Sequence, residues 1–509
     1  MKKTHVTIIN PPIVEKATIA TTIPLGVAYL AGYVRGKGME VDLIDALGEK
    51  IFQRNFWEEK NINYIGMSFD EMVDRINPDT DFICLSANFS LQEKMHLEII
   101  KGVRKRFPDK VLIVGGNDST LHPEVYLKNN VDFAILGEGE NTLYSVISKV
   151  TAGEDYSTID GVAYKEKDGT IKKNPKTVFI QNLDEVPFPA RDLLPLENYW
   201  KKKFSHGPIK EKYTPIASSR GCPLNCAYCS SIVFWQRKWR ARSPMNFVDE
   251  LEECFNRYGI TEFEFEDDVF SFNMQRAVDI CNEIIRRGLG KKIKWSTPNG
   301  IRPEKMNRDV LKTFKEAGCK YLVFAPESGS QRLLREVYNK FIDLDLIAEL
   351  VGICHEIKIR VAAFIIVGLP AQTDEDYRLT KSYIQRLAKQ GLDEVCVFPM
   401  WPYPNTPITE KYFKGYTETL EEEDAGPGSL PEWYPNRKDV MKRIREMYAA
   451  FYRAKLLHHP LKCAGMVKNI LLSSQETKTE RSVLAFISKF IGGSGKKSLG
   501  RIEKQKVAS

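Results

Sequence analysis

The 509-residue chain has no run of 18 or more uncharged apolar residues, so no membrane-spanning helix is expected. Its first apolar stretch, Val6 to Ile9, is too short for a secretory signal and runs into Asn10-Pro11-Pro12, which reads as a strand entering a loop. With no export signal in view, the expected location is cytoplasmic. Ten cysteines spread thinly over so long a chain are then reduced thiols and not a disulfide framework. The chain shows neither an internal repeat nor a low-complexity tract. Excess charge is missing from the body of the protein too: the net charge is +7, and residues 464–509 alone hold nine Lys and Arg against three Glu. A body so close to neutral is not built for nucleic acid. What remains is an ordinary globular composition, 43% hydrophobic and 28% charged, long enough for about three domains.

The first 150 residues alternate short β-branched runs with helical periods. Strands are expected at Val6–Ile9, Val41–Ile44, Phe82–Ser86, Val111–Val114 and Phe133–Leu136, and helices at Pro24–Arg35 and Leu91–Arg106, with a further helical region between Ile44 and Phe82. This pattern predicts an α/β domain with a doubly wound parallel sheet over residues 1–150. Glycines follow the expected strand ends at Gly115-Gly116 and Gly137-Glu138-Gly139, on the side where such sheets bind ligands. Residues 151–209 read as a connecting module with a hairpin around Asp168-Gly169. The alternation returns in residues 210–410, with strands at Ile216–Ser218, Glu262–Phe265, Lys294–Ser296, Tyr321–Ala325, Val361–Val367 and Glu394–Phe398. Six strands with intervening helices fit a partial (β/α)6 barrel. Residues 411–509 are expected to be helical with a basic tail.

Three cysteines stand apart. Cys222, Cys226 and Cys229 are spaced C-x3-C-x2-C directly after an expected strand. Three thiolates so spaced can each hold one iron of a cubane and leave the fourth iron without a protein ligand, an open position for chemistry on a bound molecule. A zinc site would ask for a fourth ligand and usually a second C-x2-C pair; no such pair exists, and the nearest histidine is His206. Cys84, Cys254, Cys281, Cys319, Cys354 and Cys396 sit in apolar surroundings and read as buried core residues.

The C-x3-C-x2-C motif, with Tyr228 before its last cysteine, resembles that of the radical S-adenosylmethionine (SAM) superfamily. The resemblance implies a [4Fe–4S] cluster on Cys222, Cys226 and Cys229 whose open iron chelates SAM and reduces it to a 5′-deoxyadenosyl radical. It extends through the barrel. Phe263–Phe270 (FEFEDDVF) resembles the second-strand segment that supports the methionine end of SAM, with Glu266-Asp267-Asp268 in place of glycines. Pro326-Glu327-Ser328-Gly329 resembles the fourth-strand segment facing the SAM ribose and carboxylate, and Phe364–Pro370, including Ile366, the segment packing on adenine. The implied SAM contacts are therefore Tyr228, Asp267, Asp268, Glu327, Ser328 and Ile366. Arg240 and Arg242 read either as solvated side chains or as a pair with a role near the SAM carboxylate or in orienting the helix that follows.

The N-terminal region resembles the cobalamin-binding subgroup of the same superfamily through Asn10-Pro11-Pro12, Pro24–Ala31, Val114-Gly115-Gly116 and Leu136–Glu140. The cobalamin contacts it implies are Ser86, Gly115, Gly116, Gly137, Glu138 and Gly139. The loop after the first strand has no Asp-x-His-x-x-Gly, so the implied cobalamin has no axial histidine. The activity implied is methyl transfer to an unactivated carbon, with S-adenosylhomocysteine and 5′-deoxyadenosine as co-products. The alternative is an oxidative cyclase or rearrangement enzyme similar to the anaerobic magnesium-protoporphyrin cyclase; a cluster protein that only carries electrons fits the open iron poorly. An external one-electron reductant such as flavodoxin or ferredoxin is implied, together with a small-molecule or lipid substrate and no nucleic acid. In the tail, Val483, Leu484, Phe486, Ile487, Phe490 and Ile491 fall on one helical face near Lys478, Arg481 and Lys489, a pattern that suits either packing on the barrel or peripheral contact with an anionic membrane.

Overall fold

The computed structural model describes residues 3–15, 22–203, 205–207, 209, 211–414, 434–472, 477 and 479–480. The amphipathic tail pattern at residues 483–491 lies outside them.

The N-terminal sheet is built around β1 (His5–Asn10). A two-residue strand β2 (Ile13–Val14) precedes β3 (Glu40–Asp45), β4 (Arg54–Trp57), β5 (Ile62–Ile65), β6 (Phe82–Ser86), β7 (Val111–Gly115) and β8 (Phe133–Ile135). The hairpin strands β9 (Val162–Lys165) and β10 (Ile171–Lys173) follow. The order across the sheet is β10-β9-β8-β7-β6-β1-β3. From β8 to β3 every pairing is parallel, so the carboxyl ends of five strands share one edge. Both faces are covered, with Val6, Ile8, Cys84 and Ile113 in one apolar layer and Ile9, Ile83, Leu85 and Leu112 in the other; this is why the strands read as continuous apolar runs. The expected hairpin turns at Asp168-Gly169, where Gly169 has φ +88°, and its strands continue the sheet in antiparallel fashion.

One expectation is corrected here. The region between Ile44 and Phe82, read as helical, keeps two short helices, Ala46–Glu49 and Phe69–Asp74, but also contains β4 and β5, which join β2 in the antiparallel sheet β2-β5-β4. Trp57 and Tyr64 alternate into the core beneath it, and Asn61 makes the turn at φ +53°, a conformation asparagine tolerates.

The second sheet is a row of six parallel strands, β11 (Tyr213–Ile216), β14 (Glu262–Phe265), β15 (Lys294–Ile301), β16 (Cys319–Glu327), β17 (Arg360–Val367) and β18 (Glu394–Pro399), interrupted in sequence by the short ribbon β12 (Ser219–Arg220) and β13 (Arg240–Ala241). It is the expected partial barrel. Its first strand, however, ends at Ile216, where the sequence reading had placed its start; Ala217 and Ser218 already belong to the loop. Strand residues two apart share a face. On β14, Phe263 and Phe265 pack outward against the helices, and Glu262, Glu264 and Glu266 turn inward. The helix Arg437–His458 lies against β18 and the helix Asp374–Lys389. Among the described residues no helix is long and apolar enough to cross a membrane.

Candidate active site

The carboxyl edge of the N-terminal sheet and the cluster loop of the barrel face one another across a cavity of about 330 Å³. All six expected cobalamin contacts, Ser86, Gly115, Gly116, Gly137, Glu138 and Gly139, line one side, over a floor that includes Ile8, Ile113 and Ile135. Gly116 has φ +121°, and a Cβ there would collide with the carbonyl oxygen of Ala87. The loop is held from behind by the buried carboxylate of Asp118, which accepts from Tyr126 and contacts His122 Nδ1 at 3.1 Å. Burial opposes the Asp118 charge, but hydrogen bonds from His122, His96 and Tyr126 outweigh it and hold the carboxyl well below the usual range. A Cβ on Gly26, at the cavity wall, would meet nothing within 4 Å. Small residues on an apolar floor suit a large flat ring laid against backbone. Among the described residues that line the cavity none is a histidine. Gly116→Ala should lose roughly 1–3 kcal/mol of stability through strain, and gel-filtered protein should retain less than a tenth of the wild-type cobalamin by absorbance.

The opposite wall is the cluster loop, stapled from several sides. Asp267 accepts from Ser218 N at 3.1 Å and Ser218 Oγ at 2.6 Å, and Arg276 donates to Ser218 O at 2.6 Å. Asp268 accepts from Gly221 N at 3.1 Å. Further along, Ala227 N donates to Tyr338 O at 2.9 Å, and Asn339 Nδ2 donates to Asn225 O at 2.8 Å. Cys222, Cys226 and Cys229 are half-buried, and their sulfurs do not all fall within 4.8 Å of one another. Burial pushes the free thiols up, Cys222 to about 11 and Cys229 to about 12, a cost that bound iron reverses with its own charge.

Beside Cys226 stands a group that spacing alone did not reveal. Glu327 ends β16 at φ +62°, and its carboxylate accepts from Tyr228 Oη at 2.8 Å and from Lys340 Nζ at 2.8 Å. Lys340 is itself buried and lies 3.2 Å from Tyr228 Oη. It follows the π-helical turn Leu333–Val337, an irregularity with no sequence signature. Of the other expected SAM contacts, Asp268 lines the cavity, and Ile366 lies on the face of β17 that carries Ala362 and Phe364. Asp267 is spent on the serines of the cluster loop, and Ser328 Oγ is paired with Thr380 at 2.9 Å, where it braces the turn that presents Glu327.

A buried ion network joins the two walls. Arg220, two residues before Cys222, donates to Glu138 at 2.9 Å and Glu140 at 2.7 Å, and its guanidinium sits 5.0 Å above the Tyr29 ring. Arg240 adds a 2.7 Å bond to Glu138. Burial raises the Glu138 carboxyl, and the two arginines more than offset it, so its pKa is lowered. Glu138 thus reaches the cavity as a tie between the domains. Arg242 binds Glu250 and donates to Asn246 Oδ1 at 2.6 Å, fixing the helix Pro244–Tyr258, one of the two roles expected for the pair.

An open-faced cluster loop on a parallel half-barrel, facing the glycine-lined edge of a second parallel sheet, defines a radical SAM enzyme with a cobalamin-binding domain. The chain belongs to the radical SAM superfamily, whose model matches residues 216–397, and residues 18–147 match the B12 binding domain. It is similar to an uncharacterized methyltransferase of Pyrococcus horikoshii, 30% identical over 417 residues, covering 81% of this chain and 83% of the relative. Cytidylyl-2-hydroxyethylphosphonate methyltransferase of Streptomyces wedmorensis is 28% identical over 375 residues, 69% of each chain. The anaerobic magnesium-protoporphyrin IX monomethyl ester cyclase of Cereibacter sphaeroides is 25% identical over 464 residues, 88% of this chain and 70% of the relative. The radical SAM methyltransferase TsrM of Kitasatospora setae, solved with cobalamin and a [4Fe–4S] cluster, shares the fold at a TM-score of 0.66 and 16% identity, over 87% of this chain and 82% of that one. The cofactors are a [4Fe–4S] cluster, SAM and cobalamin, and turnover needs an external one-electron reductant and a small-molecule substrate.

Proposed function

We propose that the protein is a cobalamin-dependent radical SAM C-methyltransferase that places a methyl group on an unactivated carbon of its substrate. The observation that carries this reading is the single cavity bounded by Gly115, Gly116 and Gly137 on one side and by Ala217, Ser219, Arg220 and Asp268 on the other. A cluster on the three cysteines would supply the electron that cleaves SAM, and cobalamin held by the glycine-lined wall would supply a methyl carrier. The chain's own contribution is positioning. Cys222, Cys226 and Cys229 hold the cluster and leave one iron open. The buried cation of Lys340, set by Glu327 and Tyr228 beside Cys226, is placed to receive the SAM carboxylate, and Ile366 offers an apolar contact for adenine.

Lys340→Met should raise the Kd for SAM at least tenfold, as expected for loss of a buried charge-assisted bond, with the iron content unchanged; equilibrium dialysis of the cluster-loaded protein measures both. A flavodoxin or ferredoxin is the proposed reductant. The long match to the magnesium-protoporphyrin cyclase supports a second reading, radical oxidation or cyclisation without methyl transfer. Anaerobic protein reconstituted with iron, sulfide and hydroxocobalamin, then given SAM and a low-potential reductant, separates the two. Formation of both S-adenosylhomocysteine and 5′-deoxyadenosine supports the methyltransferase, and 5′-deoxyadenosine alone supports the cyclase.

A further inference from the structure

The inner face of β14 carries three acids in a row, and two of them have local partners that account for them. Glu262 is paired with Lys320 at 2.7 Å. Glu264, 1% exposed, accepts the backbone N–H groups of His206 and Gly207. Glu266 is different because it stands at the mouth of the barrel and lines the cavity. Its two oxygens lie 3.0 and 3.1 Å from His206 Nδ1, and Asn299 Nδ2 donates to it at 2.8 Å. Among the described residues no lysine or arginine pairs with it. On the facing wall, Glu138 and Glu140 have Arg220 and Arg240 as counter-charges.

Glu266 shares its cavity with the expected cobalamin contacts, but other charges act on the cluster cysteines. The charged side chains felt most strongly by the three cluster thiols are Asp268, Glu327, Lys340 and Arg302; Glu266 is not one of them. An oriented carboxylate opening on a largely apolar cavity, with Asp268 as a second acid nearby, accepts hydrogen bonds and repels anions. The geometry points to Glu266, set by His206 and Asn299, as the anchor for a substrate that presents a protonated amine or a hydroxyl hydrogen to the cavity, and as a bar to substrates whose bound end carries a phosphate or carboxylate. This deepens the methyltransferase reading and rests on it.

The test uses the full chain loaded with cluster and cobalamin, and three probes that differ only in their head group: 2-phenylethylamine, 2-phenylethanol and phenylacetate. Equilibrium dialysis should show the amine binding most tightly and phenylacetate at least tenfold more weakly. Glu266→Gln, which keeps the shape and removes the charge, should weaken the amine at least tenfold, and Glu266→Asp should restore part of the loss. If Glu266→Gln fails to load its cofactors, Asn299→Ala takes its place, with a loss of at least threefold. Phenylacetate binding as well as the amine, no amine binding at all, or a Glu266→Gln defect in SAM affinity with amine affinity intact would each overturn the assignment; the last would give the carboxylate to the SAM ammonium group. Probe binding needs no turnover, so failure of the methyltransferase reading shows separately, as wild-type enzyme that yields neither co-product.

Discussion

Cys226→Ala should abolish SAM cleavage, with 5′-deoxyadenosine formation falling by at least about 10³-fold, more than about 4 kcal/mol in the barrier. The size of the effect follows from the loop. Each of the three half-buried cysteines is expected to hold its own iron, and the backbone on either side is pinned by Asp268, Tyr338 and Asn339. The control is Cys281→Ala. Cys281 is fully buried in the apolar core, where burial alone raises its thiol pKa, so its loss costs stability through a small cavity, about 1–2 kcal/mol, with cluster and cleavage retained. Iron and sulfide assays alongside mass spectrometry of the products read out both variants. Equal loss in the two would mean that the cluster does not sit on the C-x3-C-x2-C loop.

Arg220→Met should be the most damaging change outside the cluster ligands. It leaves Glu138 with Arg240 alone and takes from Glu140 the arginine it binds, a loss of about 3–5 kcal/mol for a broken buried pair. Urea denaturation should show the destabilisation, and bound cobalamin should fall with it, because the same carboxylates fix the Gly137–Gly139 loop at the cavity wall. Adding Glu140→Gln should recover part of the loss, a coupling that independent sites would not show. The pH dependence has a definite sign. The Glu138 carboxyl has its pKa lowered in the folded protein, so its stabilisation is present above the ordinary carboxylate pKa and is lost as pH falls through the folded value. Wild type should therefore lose stability on acidification below about pH 4 more steeply than Arg220→Met.

Much of this site was legible in the sequence, for identifiable reasons. The three cysteines at 222, 226 and 229 stand out by their spacing, and the glycines at 115, 116 and 137, which line the cavity, by following strands buried on both faces. The alternation Glu262-Phe263-Glu264-Phe265-Glu266 even encodes which side of β14 faces the lumen, although periodicity could not say that Glu266 would open on the cavity. Other features depend on contacts far apart in the chain. Glu138 meets Arg220 across 82 residues, and Tyr228 meets Glu327 across 99; no local pattern links either pair. Lys340 is delivered by an irregular turn, and His206 by a loop before β11. The small sheet β2-β5-β4 was missed because its strands are two to four residues long, too short for an alternation to stand out. The strand before the cysteines ends at Ile216, earlier than expected, and Asp267 and Arg276 grip Ser218 in the loop beyond it.

The central claim is that the cluster and cobalamin face one cavity in one chain. Electron paramagnetic resonance of the anaerobic protein, carrying reduced cluster and cob(II)alamin together, tests it most directly. The predicted spectrum shows magnetic interaction between the two centres, visible as broadening absent from samples holding either one alone, and Gly116→Ala should reduce it in proportion to lost cobalamin. A spectrum that is the plain sum of the two separate signals, or a purified protein that retains its cluster but no cobalamin, would contradict the account.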